Sequence, residues 1–590
     1  MILPRPPSLG CGVAHHATCT AVLCHRYART VPEIDHADSQ GESDRTQWSA
    51  PARRTRFREL DEKVAHLHGQ EFSKPGLDAV ETAQLKGVRR FGAAGAILMA
   101  FAALGAGAQP VLQNPVTGMR IFGLPARMTT VSLTLGITGT VMVTLAWLMV
   151  GRFVLGGFVT QSAPRRMTRG QLDYTLLLWI TPLLVAPPMF SRDVYSYLAQ
   201  SEIGARGLDP YALGPAQALG VDHVLTRTVP NIWRETPAPY GPLFLWMGEG
   251  IASLTGYNIV PGILLHRGLA VVGVLMIIWA LPRLARRCGV DPVIALWLGA
   301  ANPLVIFHLV AGIHNEALMI GMMVVGVELA LRAIETSSPL TRLNLALLLA
   351  GVFVIVLSAT IKIPSLLALG FVGMALARRW GRGLISMAAA AALLGIVAII
   401  GIASMSLISG LGFGWVNTLG TANAVRSWMS IPTLLGLATG QAGVFLGLGD
   451  HTTAILNVTR PIAAAIAAML ITRMLFATHS GRLHAIGALG VSMAALVFLF
   501  PVVQPWYLLW ALIPLAAWAT RPVFRIPAIG VSAVISVILM PNGAEYPAWT
   551  IFQAVIATIA TFTVLFAVLY TRPLWRSFLD GVFRRSAASA

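Results

Sequence analysis

Asp193 opens the polar stretch Ser191-Arg192-Asp193-Val194-Tyr195-Ser196-Tyr197, directly behind a hydrophobic segment ending in Pro187-Pro188-Met189-Phe190. A carboxylate at the mouth of an apolar segment is costly to keep near lipid, which makes it a functional-site candidate. As a general base it would take the proton from an attacking hydroxyl. The plainer explanation is structural: Ser191 can cap a helix starting here, and an acid in the first turn suits the helix dipole. Tyr197 falls one turn further on the same face.

Cations come next. Lys362 interrupts an otherwise apolar stretch between Val356 and Leu369. A lysine is a compact point charge suited to a lipid phosphate, although snorkelling to the interface explains it too. Arg267 and Arg426 are further phosphate candidates. Arg267 lies inside an apolar run and needs a partner; Glu316 could serve it or pair with Lys362.

His314-Asn315-Glu316 is not a metal motif, because neighbours on a helix diverge by about 100°. Asn315 and Glu316 suit sugar hydroxyls; a helix start with a dipole-complementing glutamate is the alternative. Tyr195, Tyr197, Tyr240, His314, Gln504, Trp506 and Tyr507 complete the sugar and acceptor candidates. For the interfacial aromatics Trp233, Tyr240, Trp506 and Tyr507, an aromatic belt is the competing reading. No Walker motif, dinucleotide fingerprint or Ser-His-Asp order is present.

The elements that must position these residues follow from composition. The chain has 590 residues, 56% of them hydrophobic and only 12% charged. A soluble domain carries about 25% charged residues, so most of this surface needs lipid as its solvent. The fold class is an all-α polytopic membrane protein. The apolar runs are continuous, which argues against a β-barrel. The net charge of +18 is spread over short loops beside apolar runs, as the positive-inside rule expects, and not over a nucleic-acid platform.

Residues 1–88 are polar and read as a cytoplasmic, largely disordered tail, with 1–70 disordered and no signal peptide. Cys11, Cys19 and Cys24, with His15, His16 and His25, lack a zinc spacing. From Phe91, runs of about 20 residues can each span the hydrocarbon core. They are 91–108, 129–150, 174–190, 259–281, 293–312, 317–333, 344–360, 363–377, 384–408, 453–477, 484–501, 506–520, 526–541 and 548–571, about 14 spans in all. Every second loop is Arg-rich, which puts both termini in the cytoplasm. The outer loops 191–258 and 409–452 are too long to be turns. The first holds an expected helix from Asp193 to Ala205 and a re-entrant or interfacial piece, Leu243–Leu254. The polar turns at 311–316, 360–364 and 504–507 lie at one membrane level and can converge on one cavity. No internal repeat is seen, which weakens a transporter reading.

Several motifs in order then resemble a known family. They are Phe190–Gln200, Gly207-Leu208-Asp209-Pro210-Tyr211, Ala238-Pro239-Tyr240-Gly241-Pro242, Asn302-Pro303-Leu304 with His308, and Gly312–Glu316. Together they resemble the polyprenol-phosphomannose-dependent α-1,6-mannosyltransferases of mycobacteria and corynebacteria, closest to the MptB-like branch, over about 90–580. The resemblance implies a GT-C bundle spanning 89–580, followed by a cytoplasmic tail at 581–590. It implies a plasma-membrane, multi-pass enzyme with an extracytoplasmic active site and Asp193 as its catalytic aspartate. The implied donor is polyprenyl-phosphate-mannose and the acceptor a mannan glycolipid of lipomannan and lipoarabinomannan assembly. The implied mechanism is inverting, since a β-linked donor gives an α-linked product. No metal or other cofactor is expected, and no nucleic-acid partner. A transferase for another lipid-linked sugar, such as arabinofuranose, and a lipid-linked sugar flippase are the alternatives.

Overall fold

The computed structural model describes residues 52–69, 71, 75–155, 166–336, 341–424, 426–541, 546–573, 575 and 576. The tail cysteines lie outside them. The chain divides into two compact units, Met1–Thr55 and Arg56–Ala590, and the site belongs to the second. Among the described residues the secondary structure is helical throughout, with no strand.

Among the described residues, eight helices are long and apolar enough to cross a membrane. They coincide with eight of the fourteen expected spans. The other six are short or broken: Arg169–Ile180, Pro292–Gly299, Leu367–Arg379, Ala485–Leu499, Leu508–Ala516 and Pro522–Ile538. Arg169–Ile180, Leu367–Arg379 and Leu508–Ala516 adjoin a 3-10 turn holding a proline that lacks an N–H donor, Pro182, Pro364 and Pro505, and Pro292–Gly299 is followed after Pro303 by the π turn Val305–Ala311. Non-helical backbone at membrane depth has to be satisfied by protein or line a cavity. Asn302 does the first: its Oδ1 accepts the Leu304 N–H at 2.9 Å, and its Nδ2 donates to the Leu298 carbonyl at 3.0 Å and to Ser532 Oγ at 2.8 Å.

Helix Glu316–Ile334 is the most enclosed of the long helices. Helix Ile259–Arg287 crosses it closely: a Cβ at Gly273 would stand 2.2 Å from the Ala317 carbonyl carbon, and one at Gly321 2.5 Å from the Gly273 carbonyl oxygen. Small residues of this kind let membrane helices approach backbone to backbone. The turn His314–Glu316, which opens this helix, is thereby held in place.

Segments 191–258 and 409–452 dock on the broken helices. Gly241 N–H donates to the Ile361 carbonyl at 3.0 Å and Leu243 N–H to the Thr360 carbonyl at 3.1 Å, so Tyr240 is brought beside Lys362. A Cβ at Gly241 would stand 2.2 Å from the Thr360 oxygen. In segment 409–452 Ser430 Oγ donates to the Phe500 carbonyl and Thr433 Oγ1 to the Pro501 carbonyl, each at 2.7 Å. Helices Pro242–Thr255 and Ile431–Phe445 follow these docking points.

Part of the stretch expected to be disordered is ordered. Helix Ala52–Ala65 places Asp61 between Arg473 at 2.7 Å and Arg482 at 2.8 Å. His68 stacks on Trp518, and Glu71 pairs with Arg525 at 2.7 Å. Polar segments with few apolar residues can be ordered by charge partners elsewhere in the chain, which local composition does not reveal.

Candidate active site

Helix Asp193–Ala205 begins with Arg192 at its N-cap position, and Ser191 Oγ accepts the Asp193 N–H at 3.1 Å. Two left-handed residues frame the site: Phe190, with φ of 64°, leads into Ser191–Asp193, and Ile313, with φ of 60°, leads into His314. That conformation is strained for a non-glycine residue, above all a β-branched one, and such strain collects at functional sites. The two strained turns are joined. Met189 N–H donates to the Ala311 carbonyl at 3.1 Å, and the Phe190 ring stacks on Phe307 at 5.1 Å. Residues 305–311 form a π-helical turn carrying His308.

The result is a meeting of side chains far apart in sequence. His314 Nδ1 stands 3.5 Å from Asp193 Oδ2, and the imidazole stacks on Trp506 with centroids 3.5 Å apart. Lys362 pairs with Glu316, donates to the Tyr507 hydroxyl at 3.2 Å, and lies 4.6 Å from the Tyr507 ring centroid. Tyr507 stacks on Trp510 at 4.3 Å.

Electrostatics set the protonation states. Burial, and then the Glu316 carboxylate, push the Asp193 carboxyl up to about 6, against the pull of Lys362 and Ser191. It is therefore a carboxylate at neutral pH, with far more basicity than a solvated aspartate. Burial, and then Lys362, hold His314 well below the usual histidine range, so its ring is neutral. Burial alone would lower Lys362, but Glu316 and Tyr507 outweigh it and keep the ammonium charged.

These groups border a cavity of about 800 Å³. Asp193, Tyr240, Lys362, Arg426, Gln504, Trp506 and Tyr507 line it, as does His308. His314, Glu316 and Asn315 do not; they stand behind, with His314 touching Asp193 and Glu316 holding Lys362. Arg267, Tyr195 and Tyr197 are also absent from the wall. Arg267 Nη1 donates to the Leu184 carbonyl at 2.8 Å, at the broken end of a short span. The Tyr195 hydroxyl donates to the Ala108 carbonyl, and Tyr197 packs edge-on against Tyr240 at 5.1 Å and Phe244 at 4.9 Å. Arg426 donates to Thr453 Oγ1 at 3.1 Å while lining the cavity.

Some lining residues had no role in the sequence reading. Ser196 and Gln200 follow Asp193 at spacings of three and seven on one helical face, a signal present in the chain but silent until the cavity side is known. Trp415 and Trp428 add aromatic surface, beside Trp233, which the sequence had placed among the interfacial aromatics.

The arrangement can hold a carboxylate base against a bound hydroxyl, with a charged amine and a phenol nearby to receive an anion. Residues 89–378 match the family described as alpha-(1->6)-mannopyranosyltransferase, N-terminal domain, and residues 432–567 match the MptB C-terminal domain. The chain is 53% identical over 561 residues to an alpha-(1->6)-mannopyranosyltransferase of Mycobacterium tuberculosis, covering 88% of this chain and 94% of that one. A relative from Mycolicibacterium smegmatis is also 53% identical, covering 88% and 95%. Alpha-(1->6)-mannopyranosyltransferase B of Corynebacterium glutamicum is 38% identical, covering 86% and 85%. No solved structure matches.

Proposed function

The chain belongs to the alpha-(1->6)-mannopyranosyltransferase family, and from that premise we propose that it moves mannose from polyprenyl-phosphate-mannose to the 6-hydroxyl of an α-1,6-mannan acceptor. The reaction serves lipomannan and lipoarabinomannan assembly, on the outer side of the plasma membrane, within a GT-C type bundle. What carries this reading is Asp193: a basic carboxylate at the cavity wall, touched by a neutral His314 and near the charged Lys362.

Asp193 accepts the proton of the acceptor hydroxyl as its oxygen attacks the anomeric carbon. The bond from that carbon to the phosphate oxygen breaks, and the electron pair leaves with the polyprenyl phosphate. A single displacement inverts the β-linked donor to an α-linked product. Lys362 and the Tyr507 hydroxyl meet the phosphate as its charge grows, and Arg426 is the second cation on the wall. Such preorganised donors stabilise the transition state more than the ground state. Arg267 takes no part, because it does not line the cavity.

The experiment is transfer from labelled polyprenyl-phosphate-mannose to a short α-1,6-mannoside in membranes carrying the chain. Asp193→Asn should express normally and lose transfer. Undiminished transfer by that variant would remove the aspartate from this role.

A further inference from the structure

Two polar side chains at the cavity wall have no use in the reaction just described. Ser196 is 4% exposed and Gln200 2% exposed. Both line the cavity, yet Ser196 Oγ and Gln200 Oε1 have no hydrogen-bond partner among the described residues. Leaving such a buried group without a partner is costly. A helical serine or threonine normally relieves this by donating to the carbonyl four residues back. Thr140, Thr144 and Thr255 of this chain do so, at 2.9 Å each. Ser196 does not.

We propose that Ser196 and Gln200 form the subsite that reads the hydroxyls of the acceptor oligosaccharide, Ser196 at its reacting sugar and Gln200 at the sugar behind it. The inference rests on Asp193 being the base. At 1.5 Å of rise per residue, Ser196 and Gln200 lie about 4.5 and about 10.5 Å along the helix axis from Asp193. They share its face, being three and seven residues on. That stripe is longer than a single sugar ring, and the donor brings only one. An in-line displacement also puts the acceptor across the anomeric carbon from the departing phosphate. Asp193 must touch the acceptor, and the cation that suits the phosphate is Lys362 on another element. A chain of sugars leaving Asp193 along its own helix therefore passes Ser196 first and Gln200 second. Both groups suit a polyol: the hydroxyl donates and accepts, and so does the amide.

The test uses the full chain with labelled polyprenyl-phosphate-mannose and three acceptors: the methyl glycosides of mannose, α-1,6-mannobiose and α-1,6-mannotriose. In the parent, kcat/KM should rise with acceptor length. Gln200→Leu should raise the acceptor KM about three- to tenfold for the longer two, flattening that rise, the effect of losing one or two hydrogen bonds. Ser196→Ala should raise it for all three. The donor KM should move by less than about twofold in both, well under one hydrogen bond's worth. Gln200→Leu keeps volume and removes an unpaired buried amide oxygen, so its Tm should equal or exceed the parent's; lost binding is then not lost fold. Acceptor KM values equal to the parent's, or a change confined to the donor KM, would overturn the subsite. If the parent transfers no mannose to any of the three, the proposed function falls and takes the subsite with it. If it transfers without regard to length, the subsite alone falls.

Discussion

The imidazole of His314 lies face to face with the indole of Trp506, centroids 3.5 Å apart and planes within 21° of parallel. The stack fixes the edge of the ring, so that Nδ1 is held 3.5 Å from the Asp193 carboxylate. Ile313 reaches this turn only through a left-handed backbone, and Trp506 sits in the 3-10 turn Pro505–Tyr507. Two strained or broken connections thus meet in one contact beside Asp193.

Replacing Trp506 should therefore harm the rate more than the fold. Trp506→Leu is expected to lower kcat about tenfold, the scale of a small misplacement at a reacting centre, while Trp506→Phe keeps most of it. Initial rates at saturating donor and acceptor check this. Equal rates for the leucine variant and the parent would show that the stack does not position Asp193.

Asp193 should carry a signature in pH and in stability. With the carboxyl at about 6, kcat/KM should fall about tenfold per unit below that pH as the base becomes protonated. Glu316→Gln removes one cause of the upward shift, so the acid limb should move to lower pH. The stability sign runs the other way. A carboxyl raised in the folded state from 3.8 disfavours folding once it ionises; the penalty is absent below 3.8, grows towards 6 and is full above it. Asp193→Asn should then lower the rate by about 10²–10⁴ and raise stability at pH 7 by up to about 2–3 kcal/mol. A variant that loses both rate and Tm would contradict a strained, tuned carboxylate.

Lys362 and Glu316 form a buried pair, so removing one partner leaves the other uncompensated. Lys362→Met should destabilise the fold by about 3–5 kcal/mol. The double variant Lys362→Met, Glu316→Gln should recover most of that Tm loss without recovering transfer. Thermal unfolding and transfer assays on all four members of the cycle decide it. Full activity in the double variant would take Lys362 away from the phosphate.

Asp61 is 3% exposed and holds both Arg473 and Arg482. Asp61→Asn should loosen segment 56–69 and make it the first site of limited proteolysis, with transfer kept because this residue does not line the cavity. A digestion pattern identical to the parent's would show that the clasp adds nothing. The expected loss in stability is about 1–3 kcal/mol, the value of a hydrogen bond to a charged group.

Much of the helical plan could be read from residue types. Apolar runs of spanning length located the eight long helices, and Asp193 stands in the first turn of its helix, where the local pattern placed it. The breaks at 311–316, 360–364 and 504–507 were visible as polar turns. Their contacts were not. Arg267 looked like a cation in need of an anion, but its partner is the Leu184 carbonyl, set free by a proline-broken helix far away in sequence. Tyr197 shares a helical face with Asp193 by spacing, yet it turns into the aromatic cluster with Tyr240 and Phe244.

The sequence by itself determined the apolar helical class, the long helices and the place of Asp193 in the first turn of its own, because hydropathy, helix period and helix-start chemistry act over neighbouring residues. Only the tertiary structure decided what that acid is. Its basicity comes from burial and from Glu316, His314 stands beside it on the Trp506 stack, and its cavity is walled in part by segments 191–258 and 409–452. Those are interactions between atoms close in space and far apart along the chain, and no local pattern encodes which face of a helix will meet them.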